Sequence, residues 1–250
     1  MPVSVEGPLV SCICISGSDV ALLDRAVRCF QQQTYPNKEL VIAYAENNLA
    51  TTEYIRKLED ARVISLAFPV SQNLTLGEKR NRAIAISNGF YFCVWDDDDF
   101  FARSRITFQV QQLQGTPFKC VVLTRVLVYD ASRREAYLSG ERWAWEQTLL
   151  CEKSVSANPE LRYTQLDRGE DSAFIFNLRE HNLLTSFKNS GLYVYVYHGG
   201  NTSGQIHWNQ NIFNYASKLS EAKSNLVEQV LDGKFSAKKA AIVLTGVVRS

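Results

Sequence analysis

The chain is expected to fold as one α/β domain around a doubly wound, mostly parallel sheet. Two patterns lead there. From Val10 to Trp95, short apolar runs alternate with stretches of helical period, the order that builds parallel sheets with helices on both faces. The last of these runs, Phe90-Tyr91-Phe92-Cys93-Val94-Trp95, is followed at once by four carboxylates, Asp96-Asp97-Asp98-Asp99. Ligands of such sheets bind beyond the carboxyl ends of the strands, which is where that quartet falls. The size and balance of the chain agree: 250 residues, 46% hydrophobic and 21% charged, suffice for one substantial core.

Val10–Ile15 reads as the first strand, and Ser16-Gly17-Ser18 as the turn after it. Asp19 is placed to cap a helix whose Leu23, Val27 and Phe30 recur at i, i+4, i+7. Pro36 closes that unit. Glu39–Tyr44 is the second strand, Thr52–Leu58 a short helix and Arg62–Leu66 the third strand. Thr75-Leu76-Gly77-Glu78 has the capping-box spacing, opening a helix through Ala83, Ile84 and Ile86 with Gly89 beyond its end. After the quartet, Ser104–Leu113 reads as a helix. Residues 119–129 and 135–138 read as a hairpin, and Asp171–Glu180 as a helix. Leu192–Tyr197 reads as a strand, and residues 206–232 as helical.

With 27 basic and 26 acidic residues the net charge is +1, which argues against a nucleic-acid partner. The six cysteines form no CxxC pair and are expected to be buried thiols. Residues 1–6 lack a basic region and an apolar stretch, and no run reaches the roughly 20 apolar residues that cross a bilayer. A cytoplasmic location is expected. The segment 234–244 mixes lysines with apolar residues, so contact with the inner face of a membrane or with a second copy of the chain is open.

Four adjacent carboxylates repel one another by about 1 kcal/mol per pair in water and about 4 near a protein surface. A hard cation such as Mg²⁺ or Mn²⁺ removes that repulsion through oxygen ligands. In an extended segment Asp96 and Asp98 would share one face, about 6.6 Å apart. A phosphatase of the haloacid dehalogenase type needs Thr or Val where Phe100 stands. An EF-hand needs a Gly and a Glu that are absent here. A nucleotidyltransferase needs a glycine-rich loop that the single Gly17 does not supply.

Several segments in order resemble one known family. They are Gln33-Thr34-Tyr35-Pro36-Asn37-Lys38-Glu39-Leu40-Val41-Ile42, Lys79-Arg80-Asn81-Arg82-Ala83-Ile84, the quartet after its aromatic strand, and Arg168-Gly169-Glu170-Asp171. From about Val10 to about Trp208 the chain resembles the metal-dependent, mostly inverting glycosyltransferases of family 2, whose fold is the Rossmann-like GT-A. The resemblance implies a nucleotide-diphosphate sugar donor, first of all a UDP-sugar, and a sugar or glycoconjugate acceptor of the bacterial polysaccharide kind. It implies a Mn²⁺ or Mg²⁺ cofactor held at the DxD segment. Asp98 would be the direct ligand, with Asp96 or Asp97 on ribose or a metal-bound water. Arg80 would contact the diphosphate, and His198 could complete the metal site. Asp171 matches the general base, with Glu170 beside it. Trp143 and Trp145 flank the acceptor region.

One domain is expected over 1–232, with a nucleotide-sugar half at about 8–115, an acceptor half at about 116–205, and a tail at 233–250. The chain departs from the family where a base-reading aspartate normally ends the second strand. Tyr44-Ala45-Glu46-Asn47 stands there. Tyr44 could stack on a base and Glu46 could accept its N–H. The rival expectation is a GT-A-like module that binds without turnover.

Overall fold

The computed structural model describes residues 7–17 and 19–249. Ser18 of the expected first turn, and the segment Met1–Glu6 read for a signal, lie outside the described residues. The first half follows the expected order: β1 (Val10–Ile15), α1 (Val20–Gln31), β2 (Lys38–Ala45), α2 (Leu49–Lys57), β3 (Val63–Phe68), α3 (Leu76–Ile86) and β4 (Tyr91–Val94). Local chemistry sets the helix starts. The Asp19 carboxylate accepts from the N–H groups of Ala21 and Leu22, and Thr75 and Glu78 close a reciprocal capping box.

The second half adds β5 (Phe100–Phe101), α4 (Arg105–Leu113), β6 (Cys120–Leu123), β7 (Leu127–Asp130), β8 (Glu135–Leu138), β9 (Trp145–Glu152), α5 (Glu170–Glu180) and β10 (Leu184–Phe187). It ends with β11 (Tyr193–Tyr197), α6 (Gln205–Asn211), β12 (Ser217–Lys218), α7 (Glu221–Leu231) and α8 (Ala237–Val248). Two sheets result, one of seven strands in the order β10-β6-β9-β4-β1-β2-β3 and one of five in the order β12-β8-β7-β11-β5. β3, β2, β1 and β4 run parallel, and β9 is antiparallel to both β4 and β6.

Alternate residues of the parallel strands feed two cores. Cys12, Cys14, Leu40, Ile42, Cys93 and Trp95 join the core that also takes in apolar residues of α1, α4, α7 and α8, whereas Ile13, Val41, Ala43, Phe92 and Val94 join the one shared with α3 and α5. This period of two with both faces covered is the reason the strands read as continuous apolar runs. Trp95 stacks on Phe101 at 3.9 Å and donates its indole N–H to the Ala26 carbonyl at 3.0 Å. All six cysteines are buried free thiols.

Three expectations change. The stretch 119–129 is not one strand of a hairpin. Its first part enters the large sheet as β6 and its second pairs with β8 in the small one. The helical reading of 206–232 is broken at 212–220, where β12 pairs with β8. The quartet is not extended, because the chain turns at Asp97 and Asp98 before β5. Helix α8 buries Ala240, Leu244 and Val247 in the main core. Among the described residues no helix is long and apolar enough to cross a membrane.

Candidate active site

Because the chain turns there, each aspartate of the quartet meets a different partner. Asp96 Oδ1 lies 3.2 Å from Arg80 Nη2. Asp97 Oδ2 accepts from the Gly17 N–H at 2.8 Å, in the loop after β1. Asp98 Oδ2 accepts from Asn201 Nδ2 at 2.9 Å and lies 3.2 Å from His198 Nε2. Its carbonyl accepts from Arg25 Nη2. Asp99 is fully buried, accepting from the Val196 N–H at 2.8 Å and from the Tyr193 hydroxyl. Each carboxylate of the quartet thus has its own partners, which offset part of the repulsion foreseen in the sequence, and Asp99 belongs to the core.

The electrostatics leave a demand at the first two aspartates. Burial raises the Asp96 carboxyl to about 6, against the pull of Arg80 and helped by the charges of Asp98 and Asp171. Burial and the Asp98 charge raise Asp97 to about 7, against the Gly17 hydrogen bond. Burial, with the charges of Asp98 and Asp96, pushes Asp99 well up as well.

Asp96, Asp97 and Asp98 line a cavity of about 270 Å³ whose other wall includes Asp171. Asp171 sits in the first turn of α5, after Gly169 at φ +74°, a left-handed conformation that suits glycine. Acidic residues are favoured at that helix end by the dipole. Glu170 is only 2% exposed, and its Oε1 is 3.4 Å from Arg80 Nη1. Burial raises the Glu170 carboxyl, Arg80 opposing. Arg80 thus bridges the two acidic motifs, over the ring of Tyr163 at 5.3 Å. Burial works against its charge, yet Asp96, Tyr163 and Glu170 hold the guanidinium above its usual value. Gly77 lets α3 press on the loop before α5, since a Cβ there would lie 1.8 Å from the Thr164 carbonyl oxygen.

The other expected residues are spread around this centre. Trp145 lines the cavity wall. Trp143 does not; it is 45% exposed and packs against Arg179 at 5.1 Å. Tyr44 lines a neighbouring cavity of about 720 Å³ with Ser16, Gly17, Asn47 and Lys79. Glu46 is not on that wall, and its Oε1 accepts from the Val70 N–H at 3.3 Å.

The sequence reading missed Glu146, Gln147 and Arg142, which reach the first cavity from β9 and the segment before it, and Asn201. Burial and the Asp171 charge raise the Glu146 carboxyl. Only Asn201 left a trace, in the glycine-flanked run after β11.

The glycosyl transferase family 2 model matches residues 13–178, more than half of the chain. The chain belongs to glycosyl transferase family 2. No curated protein matches it in sequence. Among solved structures, it is similar to S. aureus TarS 1-349 in complex with UDP-GlcNAc, with a TM-score of 0.63 at 12% identity over 96% of this chain and 71% of that one. Against the longer S. aureus TarS structure the TM-score is 0.58 at 12% identity, and 96% of this chain spans 42% of that one. The mannosyltransferase PcManGT from Pyrobaculum calidifontis, in complex with GDP-Man and Mn²⁺, gives 0.59 at 13% identity over 96% and 74%. At these identities the likeness shows the fold, which is GT-A. This family 2 glycosyltransferase places its acidic quartet at the carboxyl end of β4, in the centre of that fold.

Among the described residues no group of three His, Cys, Asp or Glu side chains forms a ready metal cage. A Mg²⁺-like ion takes one or two carboxylates and completes its shell with substrate phosphates and water. Asp98 Oδ1 and Asp96 Oδ2 are oxygens not engaged in the contacts above, and both carboxylates line the cavity. The donor set suits such an ion.

Proposed function

We propose that this family 2 enzyme moves a sugar from a nucleotide-diphosphate sugar to an acceptor hydroxyl with inversion at the anomeric carbon. One observation carries the reading: Asp96, Asp97 and Asp98 open onto the same cavity as Asp171. Donor and acceptor ends would then meet in one space. TarS and PcManGT, whose structures hold UDP-GlcNAc and GDP-Man, lend support through the shared fold.

Asp98 and Asp96 would hold Mn²⁺ or Mg²⁺, which would offset charge on the diphosphate as it leaves. His198 and Asn201 orient the Asp98 carboxylate through its Oδ2, and His198 is the candidate to join the ion. Arg80, paired with Asp96 and Glu170, holds the two motifs in register and lines the cavity in which the diphosphate would lie. Asp171, at the open end of α5, takes the proton of the attacking hydroxyl as general base. Glu170 positions it through Arg80. Tyr44 faces the base, and Trp145 forms the floor for the acceptor. Donor residues come from the 8–115 half and acceptor residues from the 116–205 half. The exposed lysines of α8 are the place for contact with a membrane surface or a second copy.

Nucleoside diphosphate release, measured over a donor panel with Mn²⁺ or Mg²⁺, tests the proposal. Asp171→Asn should lower turnover by about 10²–10⁴-fold and leave nucleotide affinity near that of the parent. Metal-independent nucleotide binding, with Asp98→Ala behaving like the parent, would refute it. Binding of a nucleotide sugar with no release for any acceptor favours the module that binds without turnover.

A further inference from the structure

A second cavity, of about 370 Å³, lies between α8, α4 and the turn before β11, and it shares no lining residue with the candidate active site. Its wall carries three cations, Arg125, Lys188 and Arg249. Lys188 pairs with Glu141 at 2.9 Å. Arg125 gives its Nε–H to the Ser139 carbonyl at 2.7 Å. Among the described residues neither Arg125 nor Arg249 has a carboxylate partner.

The helix ends do not cancel this charge. The C-terminus of α8 brings about half a negative charge to the cavity, and the N-terminus of α4 about half a positive one. Ser104 at that N-terminus lines the cavity and makes no side-chain capping bond, so its hydroxyl is free for a ligand. With Glu141 subtracted from the three cations, a net charge of about +2 remains among the described residues. The rest of the wall is mixed: Phe108, Leu138, Leu192 and Val248 give it an apolar side, beside the polar side chains of Ser104, Asn189, Ser190 and Thr245. Phe108 is 40% exposed, and Ile242, on the outer face of α8, is 57% exposed.

We propose that this cavity is a second ligand site, which binds the phosphate group of an amphiphilic phosphomonoester. The guanidinium groups of Arg125 and Arg249 grip the phosphate, since their fork geometry and permanent charge suit its oxygens. The apolar wall takes the first carbons of the attached chain. Charge and wall together select this chemistry: a free inorganic anion leaves the apolar side unused, and an uncharged lipid leaves two cations unpaired.

Calorimetry on the full chain tests the site, with dihexanoyl phosphatidic acid below its micelle concentration as probe. It should bind, and inorganic phosphate should bind more weakly. Arg125→Gln and Arg249→Gln should each weaken the probe at least about tenfold, the worth of a hydrogen bond to a charged group. Arg249 is exposed, so Arg249→Gln keeps the fold even if Arg125→Gln does not. Asp98→Ala, in the other cavity, should bind the probe like the parent, and Arg249→Gln should keep the parent's rate of nucleoside diphosphate release.

Flotation with vesicles containing phosphatidic acid, lost in Arg249→Gln, assigns the source to a bilayer headgroup. Binding of the short-chain probe without flotation assigns it to a soluble phosphomonoester. No binding of the probe, parent-like binding by Arg249→Gln, or loss of binding in Asp98→Ala overturns the proposal.

Discussion

Replacing Arg80 with methionine should destabilise the nucleotide-free chain by about 3–5 kcal/mol at pH 8, the usual cost of stripping one partner from a buried ion group. The Arg80 side chain is 8% exposed, and the side chains of its two partners, Asp96 and Glu170, are 22% and 3% exposed. At the observed separations of 3.2 and 3.4 Å, each attraction is about 5 kcal/mol at an effective dielectric constant of 20. Desolvation consumes most of that in the intact group. Without the cation the desolvation cost remains and the attraction is gone. Methionine keeps the apolar contact with Tyr163, which separates lost charge from lost packing. For a chain of this length the melting temperature should fall by roughly 10 °C.

The pH dependence gives the argument its edge. Burial already holds the Asp96 and Glu170 carboxyls above their unfolded values. Removing Arg80 takes away the pull that opposes burial, so both rise further. A carboxyl raised in the folded state adds stability that is complete below the unfolded value near 4 and is lost as pH climbs through the folded one. The penalty in Arg80→Met must therefore shrink between pH 8 and pH 5. Urea unfolding at the two pH values measures it, and Arg80→Met with Glu170→Gln should recover at least about 1 kcal/mol by coupling. A loss under about 1 kcal/mol, or one of equal size at both pH values, refutes the reasoning.

Asp97, raised to about 7, should make the nucleotide-free parent less stable as pH rises from about 4 to about 7. Asp97→Asn keeps an oxygen for the Gly17 N–H and should be more stable than the parent by about 3 kcal/mol at pH 8 in urea unfolding. Gly77→Ala drives a methyl against the Thr164 carbonyl. It should cost about 1–3 kcal/mol and lower turnover by loosening the approach to Asp171, which initial rates report. Trp145→Ala empties a site that is 1% exposed and should cost about 3–5 kcal/mol. Trp143→Ala should stay within about 1 kcal/mol and leave the acceptor KM within about twofold of the parent.

Where local chemistry decides an element, the sequence announced it. Asp19, Thr75 and Glu78 mark helix starts with side chains that bond backbone N–H groups within three residues. Val10–Ile15 and Lys38–Ala45 are buried on both faces, which leaves an apolar run that needs no partner to be recognised. The misses arise where a distant partner decides. Trp145–Glu152 starts polar because Glu146 and Gln147 face the cavity, and it becomes a strand only by filling the gap between β4 and β6. Residues 119–129 read as one strand because period and composition continue across Thr124-Arg125. The switch between sheets is set by what pairs on each side. In the candidate site the residue types of the quartet were legible, but their directions were not. A turn at Asp97 and Asp98 hands each carboxylate a neighbour from another part of the chain, and no spacing rule encodes that.

The proposed donor end shows the same limit from the other direction. Had Glu46 replaced the missing base-reading aspartate, its carboxylate would line the cavity beside Tyr44. It accepts from Val70 instead, which leaves Ser16, Tyr44, Asn47, Asn48 and Lys79 as the polar or aromatic side chains on that wall. An aromatic face discriminates poorly among bases, since all of them stack. A cation and an amide favour a base edge rich in acceptors. The tightest nucleoside diphosphate in a Mn²⁺ thermal-shift panel should therefore lose affinity in Lys79→Met and keep it in Glu46→Ala. A strong preference for UDP that vanishes with Glu46→Ala would return base reading to the carboxylate.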